Sequence, residues 1–111
     1  MFTKKGSIKV ALTRTQAFHR AERVLASLRA RVRRSDLRVG LIEATFPWSW
    51  RSPGEIFTVH VSGEDGAIRI EVSSRMRTLM FGLWDLGKNA DNVRRFLTAP
   101  AFESSLIDVQ Y

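Results

Sequence analysis

Cysteine is absent from this chain, which excludes disulfide bonds, thiolate metal ligands and a cysteine nucleophile. Long apolar runs are also absent, and no apolar segment of a signal peptide follows the lysine-containing N-terminus. We therefore expect a soluble, cytoplasmic protein.

Only three prolines occur. Pro47 and Pro53 bound an expected loop and Pro100 follows an expected helix, which suits a residue that cannot donate a backbone hydrogen bond.

The charge balance is strongly basic. The chain has 111 residues, with 18 lysines and arginines against 11 acidic residues, and a net charge of +7. This length predicts one domain over residues 1–111. The charge favours an anionic ligand, an acidic protein, an anionic membrane surface or nucleic acid as partner. The alternative is a basic surface that is simply solvated.

Alternation and helical spacing predict the first elements. Residues 7–12 alternate polar and apolar side chains, which predicts a strand with Ile8 and Val10 buried. Thr13 and Gln16 have the spacing of a capping box, so a helix should begin there. The arginine-rich segment Arg29–Arg38 fits either the end of that helix or a strand. We prefer a strand that forms a hairpin with residues 41–46.

A second hairpin is predicted over residues 55–62 and 67–74, joined by a four-residue loop at 63–66. Its alternation places Phe57 and Ile70 toward the core. The other face of this hairpin is polar, and a four-residue loop would place His60 opposite Arg69. An enzymatic interpretation would use His60, Glu71 or Asp85 as acid–base groups.

The stretch 68–97 joins a strand, a loop and a helix. Asp85 stands where a helix N-cap is expected, and apolar residues follow it at helical spacing until Pro100. The tail after Pro100 is apolar enough to pack back on the domain or on a neighbour. We therefore predict an α+β fold in the order β-α-β-β-β-β-α. Its antiparallel sheet has about five strands, with two helices packed on one face.

All three tryptophans fall in predicted connections: Trp48, Trp50 and Trp84. Large aromatic side chains in loops either cap the open end of a core or form an exposed anchor for a partner or a membrane interface. A twofold contact at this surface would instead indicate a homodimer.

Several short motifs resemble a bacterial family that is catalogued as a domain of unknown function, number fourteen ninety-nine. They are Ser73-Ser74-Arg75, then Asp85-x-Gly87-x-Asn89, then Val93-Arg94-x-Phe96-Leu97. Upstream, Gly40-Leu41-Ile42-Glu43-Ala44 is similar to a hairpin strand of the family. The segment 78–84 is longer and more apolar here. The resemblance implies a fold and carries no activity, cofactor or substrate.

The shared residues have two physical interpretations. In the first, Arg75 forms a bidentate ion pair with Asp85 and Asn89 ties the loop to the helix, which makes a structural clasp. In the second, Arg75, Arg77 and Lys88 hold a phosphate or carboxylate at the helix N-terminus. Asp85 argues against the second interpretation, because its carboxylate would compete with the anion.

Three functions follow, and the first is the one we prefer. It is a non-catalytic binding or structural module whose surface combines the basic residues with Trp48, Trp50, Phe81 and Trp84. The second is nucleic-acid binding through Arg29–Arg38, which no recognised motif supports. The third is a small enzyme, for which the sequence offers no nucleophile elbow, metal cluster or glycine-rich phosphate loop. We predict neither a cofactor nor a metal.

Overall fold

The computed structural model describes residues 3–46, 55–76 and 92–110. Within these ranges the strands are β1 (Thr3–Val10), β2 (Arg31–Asp36), β3 (Leu41–Phe46), β4 (Glu55–Glu64), β5 (Ala67–Met76) and β6 (Leu106–Gln110). The helices are α1 (Arg14–Ser27), α2, whose described residues are 92–97, and α3 (Pro100–Glu103). None of these helices combines the length and the apolar character that crossing a bilayer requires.

The strands form a single antiparallel sheet in the order β2-β3-β4-β5-β1-β6. Inward-facing residues of the central strands pack with the helices in one buried cluster. The predicted α+β class and the antiparallel sheet with helices on one face are confirmed. The sheet has six strands rather than about five, because the C-terminal tail pairs with β1 as the edge strand β6.

The start of α1 is fixed by local and distant hydrogen bonds. The predicted capping box is present: the Gln16 amide donates to Thr13 Oγ1, and the Thr13 amide donates to Gln16 Oε1, each over 3.1 Å. The Arg14 amide donates to Asp65 Oδ1 in the β4–β5 turn over 2.8 Å. These bonds satisfy amides that have no partner inside the helix, and they join α1 to the sheet.

The end of α1 explains the ambiguity of the arginine-rich segment. The Arg29 amide donates to the Ala26 carbonyl and the Ala30 amide donates to the Leu25 carbonyl, each over 3.0 Å. Arg29 has a φ of +64°. This is a Schellman motif, in which a left-handed residue ends the helix. Helix and strand therefore meet near Arg29, and the predicted strand is confirmed over Arg31–Asp36 as β2, while residues 37–40 form the turn.

Helix α2 packs on β1 at a position without a side chain. A Cβ atom added at Gly6 would lie 2.6 Å from Leu97 Cδ1 and 3.3 Å from Val93 Cγ1. Aromatic rings continue the contact across the core. Phe46, Phe57, Phe96 and Phe102 form a chain with successive centroids 5.4, 5.6 and 5.6 Å apart. Such contacts contribute about 0.5–1.5 kcal/mol each beyond simple burial.

The β4–β5 hairpin has a different register from the one predicted. Strand pairing continues to Glu64 and Ala67, so the connection has two residues, Asp65 and Gly66. Gly66 adopts a φ of +91°, which a residue without Cβ accommodates readily. His60 therefore lies opposite Glu71, not Arg69. The predicted faces are nevertheless correct, because a shift of two residues preserves the alternation.

Candidate binding face of the sheet

The helices pack on one side of the sheet and leave a second side, which we call the polar face. Directly opposed residues of neighbouring antiparallel strands share a face, so the strand pairing defines its members. They include Lys5, Ser7 and Lys9 on β1, Arg69, Glu71, Ser73 and Arg75 on β5, Ile56, Thr58, His60 and Ser62 on β4, Leu41, Glu43 and Thr45 on β3, Arg31, Arg34 and Asp36 on β2, and Asp108 and Gln110 on β6.

Positive charge is concentrated on two adjacent strands of the polar face. Lys5 and Lys9 lie on β1, and Arg69 and Arg75 lie on β5 beside it. All four side chains are exposed. Arg69 Nη2 lies 3.4 Å from Glu71 Oε2, with both side chains about half exposed, and such a surface pair contributes at most about 1 kcal/mol. The polar face therefore presents cations that are available to an anionic partner.

Three adjoining depressions cross the polar face. The first has a volume of about 290 Å³ and is lined by Lys5, Leu41, Thr58, His60, Glu71 and Ser73. The second, of about 200 Å³, is lined by Lys5, Gly6, Ser7, Arg69, Glu71 and Gln110. The third, of about 260 Å³, is lined by Ser7, Ile8, Lys9, Arg69, Asp108 and Gln110. Neighbouring depressions share residues, so together they form a shallow band across the central strands.

Arg75 lies on the polar face near the end of β5, where it is exposed. The other residues predicted for the anion or partner site lie outside the described residues: Arg77, Phe81, Asp85, Lys88, Asn89, Trp48, Trp50 and Trp84. The predicted Arg75–Asp85 pairing and the predicted aromatic surface therefore stay predictions.

The arginines of segment 29–38 do not form one patch. Arg31 and Arg34 lie on the polar face opposite Thr45 and Glu43, while a register shift falls between Val32 and Arg34. Arg29 ends α1, as described above. The strand β2 is at the edge of the sheet, and arginines and a bulge on an edge strand both hinder pairing with another chain.

His60 and Glu71, two of the residues in the enzymatic interpretation, are brought directly opposite each other. Ser7 lies on the other side of Glu71, so the carboxylate stands between histidine and serine. In a Ser-His-acid triad the histidine stands between the nucleophile and the acid. The order of this row is therefore wrong for that chemistry. Asp85, the third residue, lies outside the described residues.

Side chains that could bind a metal ion are dispersed over the described residues. The described residues contain no group of three or more histidines, cysteines, aspartates or glutamates close enough to hold one ion. His19, which the sequence places away from the apolar stripe of α1, is exposed and lies 2.9 Å from Glu22 Oε1 through its Nδ1 atom.

Fold and polar face together define an α+β domain with a basic sheet surface that no helix of the described residues covers. Comparison of the chain with protein-family models, with curated proteins and with solved structures found no significant match. The polar face therefore has to be interpreted from its own residues.

Sequence reasoning missed Lys5, Ser7, Lys9 and Gln110 as candidate binding residues. Alternation places Ser7 and Lys9 on the polar side of the first strand, but it does not identify the neighbouring strands. Those neighbours, β5 and β6, come from distant parts of the chain. The signal that sequence does offer is limited to two lysines that flank a serine at alternate positions, which is common in exposed strands.

Proposed function

We propose that this protein is a non-catalytic binding module that holds an anionic partner on the polar face of its sheet. The observation that carries the proposal is the row of four exposed cations, Lys5, Lys9, Arg69 and Arg75, on two adjacent strands. An excess of one charge on a single face attracts and orients an oppositely charged partner.

The end of the sheet supports an aromatic extension of this surface. Phe46, Glu55 and Met76 are paired side by side there. Trp48 and Trp50 follow Phe46 within four residues, and Arg77 follows Met76 directly. The segment after Phe46 and the segment after Met76 therefore begin close together, since each residue extends the chain by at most about 3.6 Å. We propose that Trp48, Trp50, Trp84 and Arg77 add to the partner surface at this end, beside Arg75.

Removal of equal charge from two faces of the protein tests the proposal. One variant carries Lys5→Gln, Lys9→Gln, Arg69→Gln and Arg75→Gln. Its control carries Lys4→Gln, Arg23→Gln, Arg94→Gln and Arg95→Gln, which neutralises four exposed cations off the polar face. With immobilised heparin as the polyanionic probe, the first variant should elute at a distinctly lower salt concentration than the control. Equal elution of the two variants would contradict the proposal.

Tryptophan emission tests the aromatic extension separately. All three tryptophans lie in the segments that we assign to the extension, so their emission should shift to shorter wavelength when soluble heparin binds the native protein. The control variant should show the same shift, and the polar-face variant should not at the same heparin concentration. Heparin binding without any change in emission would remove the tryptophans from the partner surface.

Nucleic-acid binding is a second candidate, favoured by one observation. Arg31 and Arg34 lie on the polar face with the four central cations, so these two arginines of segment 29–38 would extend the same basic surface. Arg31→Gln with Arg34→Gln should weaken the mobility shift of a single-stranded oligonucleotide and reduce its salt dependence. Arg29→Gln with Arg38→Gln is the control. Absence of any shift by the native protein at low salt would remove this candidate.

We also propose membership of family fourteen ninety-nine. The proposal is supported by the positions of the described motif residues. Ser73-Ser74-Arg75 lies near the end of β5, and Gly40-Leu41-Ile42-Glu43-Ala44 leads from the hairpin turn into β3. In α2, Val93, Phe96 and Leu97 form the buried side. A family motif that serves the fold would have its residues at such positions.

A further inference from the structure

We propose that Ser7, Lys9, Arg69 and Gln110 form a binding site for a single phosphate group on the polar face. This inference rests on the proposed function and names the ligand chemistry of one part of that surface. The four residues come from three neighbouring strands, β5, β1 and β6, and all of them line the depression of about 260 Å³.

Ser7 forms the floor of this site. It is only 7% exposed, because its short side chain lies between longer ones: Lys5 and Lys9 along β1, Glu71 and Gln110 across it. Its hydroxyl has no hydrogen-bond partner among residues 3–46, 55–76 and 92–110. A buried hydroxyl without a hydrogen-bond partner is unfavourable. A ligand oxygen in the depression would supply the missing partner.

Lys9 and Arg69 provide the charge. They lie directly opposite each other on β1 and β5, and like charges in this arrangement destabilise a sheet. Such a local conflict is expected where function requires it. A phosphate between the two cations would remove their repulsion and accept charge-assisted hydrogen bonds from both.

The neighbouring carboxylates restrict the site to one anionic group. Asp108 lies opposite Lys9 on β6, and Glu71 lies 3.4 Å from Arg69 through its Oε2 atom. With Lys5 of the adjoining depression, the three cations exceed these two carboxylates by one charge, enough to attract one phosphate but not a cluster of phosphates. Gln110 adds an uncharged amide donor at the β6 side. The donor set is therefore hydroxyl, ammonium, guanidinium and amide, which suits the several acceptor oxygens of a phosphate.

The size of the depression agrees with a small group. Its volume of about 260 Å³ is below the roughly 300–1,000 Å³ of pockets that enclose a drug-sized ligand. A phosphate would be held here while the rest of its carrier molecule extends along the band of adjoining depressions, toward Lys5 and His60.

Thermal stabilisation by inorganic phosphate at constant ionic strength tests the site, with chloride as the reference salt. A ligand that binds only the folded state raises the melting temperature. We expect phosphate to do so for the native protein. Ser7→Ala and Lys9→Met should weaken phosphate binding about tenfold or more. Lys4→Met, which removes a cation from the same strand on its other face, should leave binding unchanged.

The same variants separate a binding role from a structural one. Without phosphate, Ser7→Ala removes an unsatisfied hydroxyl, so it should not lower the melting temperature. Lys9→Met removes a like-charge contact with Arg69 and an opposite-charge contact with Asp108, so its effect on stability should be small. A fall in the stability of Ser7→Ala without phosphate, or equal phosphate binding by Lys9→Met and Lys4→Met, would overturn the site. If heparin elution still separates the two four-cation variants in that case, the proposed function stands and only the phosphate site fails.

The source of the phosphate is resolved by two further probes. Adenosine monophosphate presents a free phosphomonoester, and vesicles of phosphatidylcholine with phosphatidic acid present a lipid phosphate. Either probe, if it competes with inorganic phosphate and depends on Ser7 and Lys9, identifies its carrier and supports the site. Failure of both to compete would contradict a site that leaves the rest of the carrier free to extend along the band.

Discussion

Asp65 Oδ1 accepts a hydrogen bond of 2.8 Å from the backbone amide of Arg14. The two residues are 51 positions apart, and the bond joins the β4–β5 turn to the first turn of α1. Next to it, the Gly66 amide donates to the Leu12 carbonyl over 2.8 Å. The carboxylate also lies at the positive end of the helix dipole. This turn therefore contributes a second cap to α1, in addition to Thr13.

Asp65→Ala should lower the free energy of unfolding by about 0.5–2 kcal/mol, the usual effect of losing a helix cap. Asp65→Asn keeps an acceptor oxygen and loses only the charge, so its effect should be smaller. Urea denaturation measures both variants, and Glu64→Ala, at the adjacent end of β4, is the control. An Asp65→Ala variant as stable as Glu64→Ala would show that the contact contributes nothing.

Sequence predicted the elements of the fold better than their contacts. Capping boxes and alternation are local patterns. The start of α1 and the buried faces of β4 and β5 can therefore be predicted from residues within a few positions. The Asp65–Arg14 bond, the β1–β5 pairing and the addition of β6 depend on chain closure over long distances. A lone strand pattern does not specify its neighbour, so the site around Ser7 could not be assembled from sequence alone.

The left-handed conformation of Arg29 gives a second prediction. A φ of +64° is unfavourable by about 1–2 kcal/mol for a residue with a Cβ atom, while glycine is the usual residue at this position of a Schellman motif. Arg29→Gly should therefore raise the free energy of unfolding by about 0.5–1 kcal/mol. Arg31→Gly, within β2, should lower it, because glycine weakens a strand.

Thermal or urea denaturation distinguishes these two arginine variants clearly, because their expected changes in the free energy of unfolding have opposite signs. The two positions are only two residues apart. Both remove one exposed cation, so a general effect of net charge would move them together. A loss of stability in Arg29→Gly would mean that the arginine side chain has a stabilising contact that outweighs the backbone strain.

Gly6 is expected to be intolerant of larger side chains. A Cβ atom there would lie 2.6 Å from Leu97 Cδ1 and 3.2 Å from the Gln110 carbonyl oxygen, and Leu97 is itself buried. Gly6→Val should therefore destabilise the protein by about 1–3 kcal/mol through overpacking. Ala67→Val, at an exposed strand position, should change stability little.

A double variant tests whether Leu97 is the cause of that loss. Leu97→Ala removes the atom that the new side chain meets, so Gly6→Val with Leu97→Ala should be more stable than the sum of the two single effects predicts. Strictly additive losses, measured by urea denaturation, would place the conflict elsewhere, at the backbone of Gln110.

Two hydrophobic residues of the edge strand β6 differ in their exposure to solvent. Val109 is half-buried against the core and lies opposite Ile8, whereas Ile107 is 52% exposed. Val109→Lys should therefore lower the free energy of unfolding by about 1–3 kcal/mol, and Ile107→Lys should change it by less than about 0.5 kcal/mol. Equal effects in thermal denaturation would mean that β6 does not pair with β1 in the described register.

The register of the β4–β5 hairpin can be tested by engineered disulfides, since the native chain has no cysteine to interfere. His60 lies directly opposite Glu71, with Arg69 at the diagonal position. Opposed Cα atoms are about 4.5–5.5 Å apart, within the range that a disulfide spans, while diagonal neighbours are roughly 7–8 Å apart.

His60→Cys with Glu71→Cys should therefore oxidise readily, leaving no free thiol and a protein that unfolds at higher urea concentration than its reduced form. His60→Cys with Arg69→Cys is the matched control and should keep both thiols, because the backbone would have to move to close the bond. A two-residue turn at Asp65 and Gly66 requires this outcome. The reverse result would restore a four-residue loop and would place His60 opposite Arg69.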